Sequence, residues 1–173
     1  SRGLGDVYKR QLYHWDMPVW LHEMGGWGSR AVVDHFAEYT RAVVDRLSDR
    51  VSHWITLNEP HVYIGLGQGT GVHAPGDQLP VRDQLRSVHH SLVAHGRATQ
   101  VIREHAETPP TVGVVTVGVT SYPASESDED VAAARELSMS VHNDSMFSNT
   151  LYLDPICFGD YPEDARSLFG RDM

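Results

Sequence analysis

The pattern of apolar and polar positions predicts strands that alternate with helices from Leu12 onward. Residues 12–16 form an aromatic-rich run that Pro18 stops, which is typical of the last part of a strand. Apolar side chains then recur at helical spacing from residue 33 to residue 47, with charged side chains largely on the opposite face. Ser29 precedes this run and is the predicted N-cap of the helix.

The alternation continues through the rest of the chain. Residues 51–57 are aromatic and β-branched, which predicts a second strand, and Pro60 ends it because proline has no N–H to donate. Residues 111–119 are nearly all β-branched or Gly, as in a parallel strand buried on both faces. The other predicted elements are a flexible Gly-rich loop at 65–76, a helix at 81–105 and a helix from 131 to about 147. The end of the chain, from residue 154, shows no clear period.

This order of elements predicts an α/β fold with a parallel sheet and right-handed crossovers. Three strands are too few for a complete sheet of this class, because two edges and an apolar face would remain in water. The pattern therefore predicts that the chain is a piece of a larger α/β protein or needs a partner.

Composition and charge narrow the function classes. The 173 residues carry 23 acidic and 14 basic side chains, a formal net charge of −9, which makes nucleic acid and anionic membrane poor partners. The longest apolar stretch, residues 112–119, is far shorter than the ~20 residues of a membrane helix. A single cysteine, Cys157, excludes an internal disulfide, and its apolar neighbours predict a buried thiol. These features make the cytoplasm the expected compartment.

The first eleven residues differ in charge from the rest of the chain. They carry Arg2, Lys9 and Arg10 against Asp6, so residues 12–173 hold 11 basic and 22 acidic side chains, a net charge of −11. The segment also lacks the apolar core of a secretory signal. We therefore expect residues 1–11 to be a leader foreign to the fold, either a tag or an artefact of sequencing or assembly, and residues 12–173 to form the domain.

Polar residues stand beside aromatic ones at two predicted strand ends. These are His14-Trp15-Asp16 and Asn58-Glu59-Pro60. Reactive groups gather at the carboxyl ends of parallel strands, and a carboxylic acid in a Trp-lined site is a candidate general acid. An asparagine suits a sugar hydroxyl, and Trp15 suits the apolar face of a sugar ring. The alternative for Glu59 is a structural role, as a helix cap or as the partner of an arginine.

Several motifs, in this order and spacing, resemble family 1 glycoside hydrolases, and among them the bacterial β-glucosidases. The resemblance extends over residues 12–173. The motifs are Leu-Tyr-His-Trp-Asp-Met-Pro (12–18), Gly-Gly-Trp (25–27), Phe-Ala-Glu-Tyr (36–39), Thr-Leu-Asn-Glu-Pro (56–60), Gly-Val-His-Ala-Pro-Gly (71–76), the histidines at 89, 90 and 95, Tyr-Pro-Ala-Ser (122–125), Leu-Asp-Pro (153–155) and Tyr-Pro-Glu (161–163).

The resemblance implies a fold, a reaction and roles for four residues. The fold is a (β/α)₈ TIM barrel, of which this chain would hold roughly strands three to five with their helices. The reaction is hydrolysis of terminal β-linked glucosides with retention of configuration by two glutamates, with no metal and no organic cofactor. Glu59 corresponds to the general acid/base and Asn58 to the residue that binds the sugar 2-hydroxyl. His14 and Trp15 correspond to the pair that binds the glycone.

The sequence departs from the family in ways that limit these expectations. The family's nucleophile belongs to a Glu-Asn-Gly motif, which does not occur here, so we predict that the isolated chain has no glycosidase activity and needs the rest of the barrel. His61 stands where many members have Trp, and we expect it to line the leaving-group side. Val117 stands where bacterial members often have Asn. The alternatives are a truncated, non-catalytic sugar-binding protein or one half of a split barrel.

A metal site is the least favoured alternative. His90 and His95 are five residues apart on the predicted helix, which is not the i, i+4 spacing of a helical zinc site. In the family that the chain resembles, histidines of this helix pack and form hydrogen bonds, and we expect the same here.

Overall fold

The computed structural model describes residues 9–142 and 145–170. These residues form two compact units. Unit 1 contains the described residues up to Asn58 together with Val93–Val115, and unit 2 contains Glu59–Leu92 together with the described residues from Thr116 onward. Strand β2 (His53–Asn58) ends in unit 1, and the long helix α4 (Val81–His105) contributes to both units.

Unit 1 is built on the parallel sheet that the sequence predicts. Its strands are β1 (Lys9–Tyr13), β2 (His53–Asn58) and β3 (Thr111–Val115), in the order β1-β2-β3 with both pairs parallel. In the register Tyr13 lies opposite Leu57, and Asn58 lies opposite Val115. Strand β3 ends at Val115, four residues before its predicted end, and the register shifts between Ile55 and Asn58 just before that point.

Helices accompany this sheet, and most apolar side chains of β1 and β2 are buried. Strand β3 is only partly buried, so the prediction of a strand buried on both faces was wrong for it. The helices are the short helix α1 (Val19–Glu23), a 3₁₀ turn (Gly26–Gly28), α2 (Ala31–Leu47) and the second half of α4 (Val81–His105). Val44 of α2, Trp54 of β2 and Ile102 of α4 are all at least 99% buried. Ser29 is not the N-cap, because Arg30 takes that position with no side-chain cap, and Ser29 O accepts from Val32 N instead.

Unit 2 is helical. Helix α3 (Pro60–Val62) leads directly into a π-helical turn (Tyr63–Gly69), where the sequence predicted only a loop. After the first half of α4 come three further helices, which are α5 (Asp128–Met139), α6 (Asn149–Phe158) and α7 (Glu163–Phe169).

The prediction of one helix from 131 to about 147 was wrong in its extent. Helix α5 ends at Met139 because side chains of α6 take its last carbonyl groups. Asn149 Nδ2 donates to Ser138 O at 2.7 Å, and Thr150 Oγ1 donates to Met139 O at 2.6 Å. Such bonds satisfy acceptors that a helix end leaves open, and continuing the helix would displace them. Helices α6 and α7 escaped prediction because α6 contains Pro155 and shows almost no amphipathic period.

Three further expectations meet the structure here. The first eight residues of the expected leader lie outside the described residues, and its last three belong to β1. Cys157 is exposed, so the prediction of a buried thiol was wrong; the side chain lies in the last turn of α6, where Phe158 is exposed too. Within the described ranges, no helix combines the length and apolarity that crossing a membrane requires.

Candidate active site

Two strand ends carry an unusual backbone. Among the described residues, Trp15 (φ 76°) and Glu59 (φ 47°) are the non-glycine residues with a positive φ. Trp15 is the second residue after β1, and Glu59 is the first residue after β2. A left-handed conformation costs an L-residue with a side chain roughly 1–3 kcal/mol and persists only where surrounding structure enforces it. Such residues cluster at functional sites, so the backbone singles out the same two strand ends as the sequence motifs do.

Hydrogen bonds in unit 1 bring three of the four predicted site residues together. The indole Nε1 of Trp15 donates to the backbone oxygen of Asn58 at 2.8 Å. Gln11 Nε2 donates to Asn58 Oδ1 at 2.8 Å, and Gln11 Oε1 lies 2.6 Å from His14 Nδ1. Asn58 is 7% exposed, whereas His14 is exposed. The polar ends of β1 and β2 thus form one connected network.

Gln11 is the member of this network that the sequence analysis missed. Its position within the charged first eleven residues led to its assignment to the leader, with no role. Pairing of Gln11 with Ile55 in the parallel register sets its side chain beside the end of β2. The available signal was the two-residue spacing of Gln11 and Tyr13, which continues the strand back from Leu12.

Glu59 is the fourth predicted site residue and the first residue of unit 2. Its side chain is partly buried, and all eight other glutamates of the chain are exposed. Among the described residues its carboxylate neither caps helix α3 nor pairs with an arginine, so neither structural alternative is supported. A partly buried carboxyl without such a partner is available to exchange a proton with a bound molecule.

The turn after Glu59 is buried. Every residue from 60 to 65 is buried, and the imidazole of His61 is completely so. His61 stacks on Tyr152 with ring centroids 3.7 Å apart, and neither ring nitrogen has a hydrogen-bond partner. Burial lowers the pKa of His61 to about 3, so this side chain is neutral near pH 7. The prediction that His61 lines the leaving-group side is not supported, because the ring offers no accessible surface.

The histidines of α4 make hydrogen bonds. In unit 1, His95 Nδ1 lies 2.7 Å from Thr56 Oγ1 of β2, and burial together with the nearby charge of Arg103 lowers the pKa of His95. In unit 2, His89 Nδ1 lies 3.1 Å from the hydroxyl of Tyr161. Over the part of the chain that the structure describes, no three His, Cys, Asp or Glu side chains are grouped to hold a metal ion.

Comparison with known proteins gives a consistent family. The sequence matches the model of Glycosyl hydrolase family 1 over residues 9–172. β-Glucosidase A of Thermotoga maritima is 44% identical over 153 residues, which are 88% of this chain and 32% of that protein. The 1,4-β-D-glucan glucohydrolase of Thermotoga neapolitana is 41% identical over 153 residues, 88% of this chain and 34% of that protein.

The solved structures agree with the sequence relatives. The structure of a family 1 β-glucosidase from Thermotoga maritima in complex with isofagomine lactam superposes with a TM-score of 0.79 at 40% identity, covering 96% of this chain and 36% of that chain. The chain therefore spans about a third of the length of the relatives it matches.

Proposed function

The chain belongs to glycosyl hydrolase family 1, and from this premise we propose that it supplies the acid/base side of a retaining β-glucosidase active site. Glu59 is the general acid and base. Asn58, His14 and Trp15 bind the sugar. The observation that carries the proposal is the Asn58-Glu59-Pro60 sequence at the end of the central parallel strand, with Glu59 in a left-handed backbone conformation.

The role of Glu59 follows from the chemistry of two carboxyl groups. A retaining glycosidase protonates the leaving oxygen with one carboxyl and attacks the anomeric carbon with the other, about 5–5.5 Å away. The ionised nucleophile keeps its neighbour protonated through charge repulsion. Once the glycosyl-enzyme bond forms, that charge is lost, and the acid becomes the base that takes a proton from water. Glu59 fits the acid because its carboxylate has no competing arginine among the described residues.

The sugar-binding roles rest on the network of unit 1. Asn58 is held through both its side-chain oxygen and its backbone oxygen, which fixes the direction of its amide group. A fixed amide can donate to a sugar hydroxyl without first losing rotational freedom. Trp15 presents an aromatic ring and exposed His14 a polar one at the same strand end. The substrates of this class are β-glucosides and short β-linked oligosaccharides, in keeping with the names of the two Thermotoga relatives.

The nucleophile is supplied from outside these 173 residues. No Glu-Asn-Gly motif occurs, and the glutamates other than Glu59 are exposed on the surface. We take the chain as roughly strands three to five of the TIM barrel, so the remaining strands carry the second carboxyl. The isolated chain is therefore inactive toward β-glucosides, and a complete site needs the rest of the barrel.

The test uses a complete barrel, here called the grafted barrel. In it, residues 12–170 of this chain replace the matching segment of Thermotoga maritima β-glucosidase A. Glu59→Gln should lower kcat/KM for phenyl β-glucoside about 10²- to 10⁴-fold, because phenolate leaves poorly without a proton. The same variant should lose little with 2,4-dinitrophenyl β-glucoside, whose leaving group needs no proton. Glu136→Gln, at an exposed glutamate of α5, is the control and should leave both substrates unchanged. Equal losses on the two substrates would contradict the acid role.

A further inference from the structure

Hydrogen bonds hold the start of the turn that carries Glu59, and one of them is made by a side chain, because the hydroxyl of Tyr63 donates to Ser91 Oγ at 2.9 Å. Glu59 O accepts from Val62 N at 2.9 Å, and no side chain caps helix α3. The strained conformation at Glu59 is therefore enforced by these bonds together with the packing of the buried residues that follow it. Within this turn, the side chain of His61 is completely buried and lies two residues from Glu59.

The ring that packs on His61 comes from α6. Tyr152 is completely buried, and its ring lies 3.7 Å from that of His61, centroid to centroid, at an interplanar angle of 34°. The hydroxyl of Tyr152, like both nitrogens of His61, has no hydrogen-bond partner, so ring-on-ring packing is the interaction between them. Phe147 provides a second aromatic contact, with its centroid 6.2 Å from that of His61.

Hydrogen bonds hold helix α6 in place, so the ring of Tyr152 can in turn fix the position of the His61 ring. Asn149 and Thr150 at its start bond the last carbonyl groups of α5. Phe147, just before α6, also lies against the turn, because a Cβ atom at Gly65 would come within 3.0 Å of its ring. Segment 146–152 thus contacts the turn at two positions, through Phe147 and through Tyr152, and hydrogen bonds at the start of α6 hold this segment in place.

We propose that Tyr152 is a positioning residue for Glu59 and acts through the ring of His61. The proposal rests on the acid/base role proposed above. Stacking fixes the imidazole, the imidazole fixes the buried turn, and the turn holds Glu59 in the left-handed conformation that aims its carboxyl at the leaving oxygen. A misplacement of about 1 Å is enough to reduce a proton transfer 10²-fold.

A positioning role predicts a selective kinetic loss. In the grafted barrel, Tyr152→Leu should lower kcat/KM for phenyl β-glucoside about 10- to 100-fold and that for 2,4-dinitrophenyl β-glucoside about twofold or less. Only the first substrate requires a correctly placed proton donor. Tyr152→Phe keeps the ring and removes the unpartnered hydroxyl, and should leave both values unchanged. Leu151→Ala, at a fully buried neighbour on the same helix, should show no selectivity.

The contact itself can be measured in the 173-residue chain. The ring of Tyr152 should shift the proton resonances of His61 upfield, and this shift should persist in Tyr152→Phe and disappear in Tyr152→Leu. If Tyr152→Leu does not fold, His61→Leu breaks the stack from the other side and should give the same selective loss.

Two results would overturn the positioning role. One is an equal loss on both substrates in Tyr152→Leu or His61→Leu, which is the signature of a purely structural contact. The other is unchanged hydrolysis of phenyl β-glucoside in those variants. Selectivity that is present in Glu59→Gln and absent in Tyr152→Leu removes the positioning role alone, whereas its absence from Glu59→Gln removes the proposed function as well.

Discussion

The ends of β1 and β2 reach the same unusual backbone conformation by different means. After β1, Trp15 is partly exposed, and its indole donates a hydrogen bond to Asn58 O. After β2, Glu59 is followed by six buried residues. Among them, His61 has no hydrogen-bond partner for either ring nitrogen, while the hydroxyl of Tyr63 donates to Ser91 Oγ. Trp15 is thus tied by a polar contact to Asn58, whereas the buried imidazole two residues after Glu59 is held by packing alone.

This difference predicts which substitutions and which pH changes should affect each strand end. A hydrogen-bonded residue depends on one donor and is little affected by mild acid. A packed turn with an unpartnered imidazole depends on ring shape and on the imidazole staying neutral. Burying a charge without a partner is costly, so protonation of His61 opposes folding.

The largest expected effect is acid sensitivity of the second strand end. The pKa of His61 falls from 6.5 to about 3 on folding, so below pH 6.5 the unfolded chain binds a proton that the folded chain excludes. Neutral His61 therefore leaves the free energy of unfolding at its full value above pH 6.5. As the pH falls from 6.5 to 4, proton binding by the unfolded chain should lower the free energy of unfolding by roughly 3 kcal/mol. Urea unfolding at several pH values measures it. His61→Phe should make the free energy of unfolding less dependent on pH in this range. His14→Phe, at the first strand end, should not have this effect.

A smaller effect is expected from the hydrogen bond at the first strand end. Trp15→Phe removes the indole donor to Asn58 O and should lower the free energy of unfolding by about 1 kcal/mol, with no added dependence on acid. Trp20→Phe is the control, because the Trp20 side chain is half-exposed and should cost less than about 0.5 kcal/mol. Equal costs for the two variants would mean that the hydrogen bond does not stabilise this strand end.

The backbone strain at Glu59 predicts a stabilising substitution. Glu59→Gly should raise the free energy of unfolding by about 0.5–1 kcal/mol, because glycine adopts the left-handed conformation without steric cost. Glu136→Gly, within helix α5, should lower it by about 1 kcal/mol. Opposite signs for the same chemical change would locate the strain at the second strand end, and a destabilised Glu59→Gly would refute it.

The smallest effect is expected at the start of the chain. If the first residues are foreign to the fold, removal of residues 1–8 should change the free energy of unfolding by less than about 0.5 kcal/mol. Gln11→Ala is the informative comparison, since it removes the bonds to Asn58 and His14. A large loss on removing residues 1–8 would show that the expected leader supports the fold.

The sequence predicted the elements with strong periods and the residues with strong motifs. Local patterns predicted three parallel strands, the helix Val81–His105 and the grouping of His14, Trp15 and Asn58 at two strand ends. The bounds of β1 were wrong, because it spans Lys9–Tyr13 and its first three residues had been assigned to the foreign leader. The end of α5 could not be predicted from the sequence, because it depends on hydrogen bonds from Asn149 and Thr150 of another helix. The burial of His61 was not predicted for the same reason. The ring that packs on it, Tyr152, is distant in the sequence, and no local pattern indicates this contact.

The central claim is that Glu59 is the acid/base, and azide rescue tests it most directly. In the grafted barrel, the Glu59→Ala variant can still cleave 2,4-dinitrophenyl β-glucoside, because this leaving group needs no proton. The glycosyl-enzyme that forms then lacks a base to activate water. Azide needs no base, so it should raise turnover at least about tenfold and yield β-glucosyl azide with retained configuration. Turnover of Glu59→Ala that azide does not raise, with no glycosyl azide formed, would contradict the account.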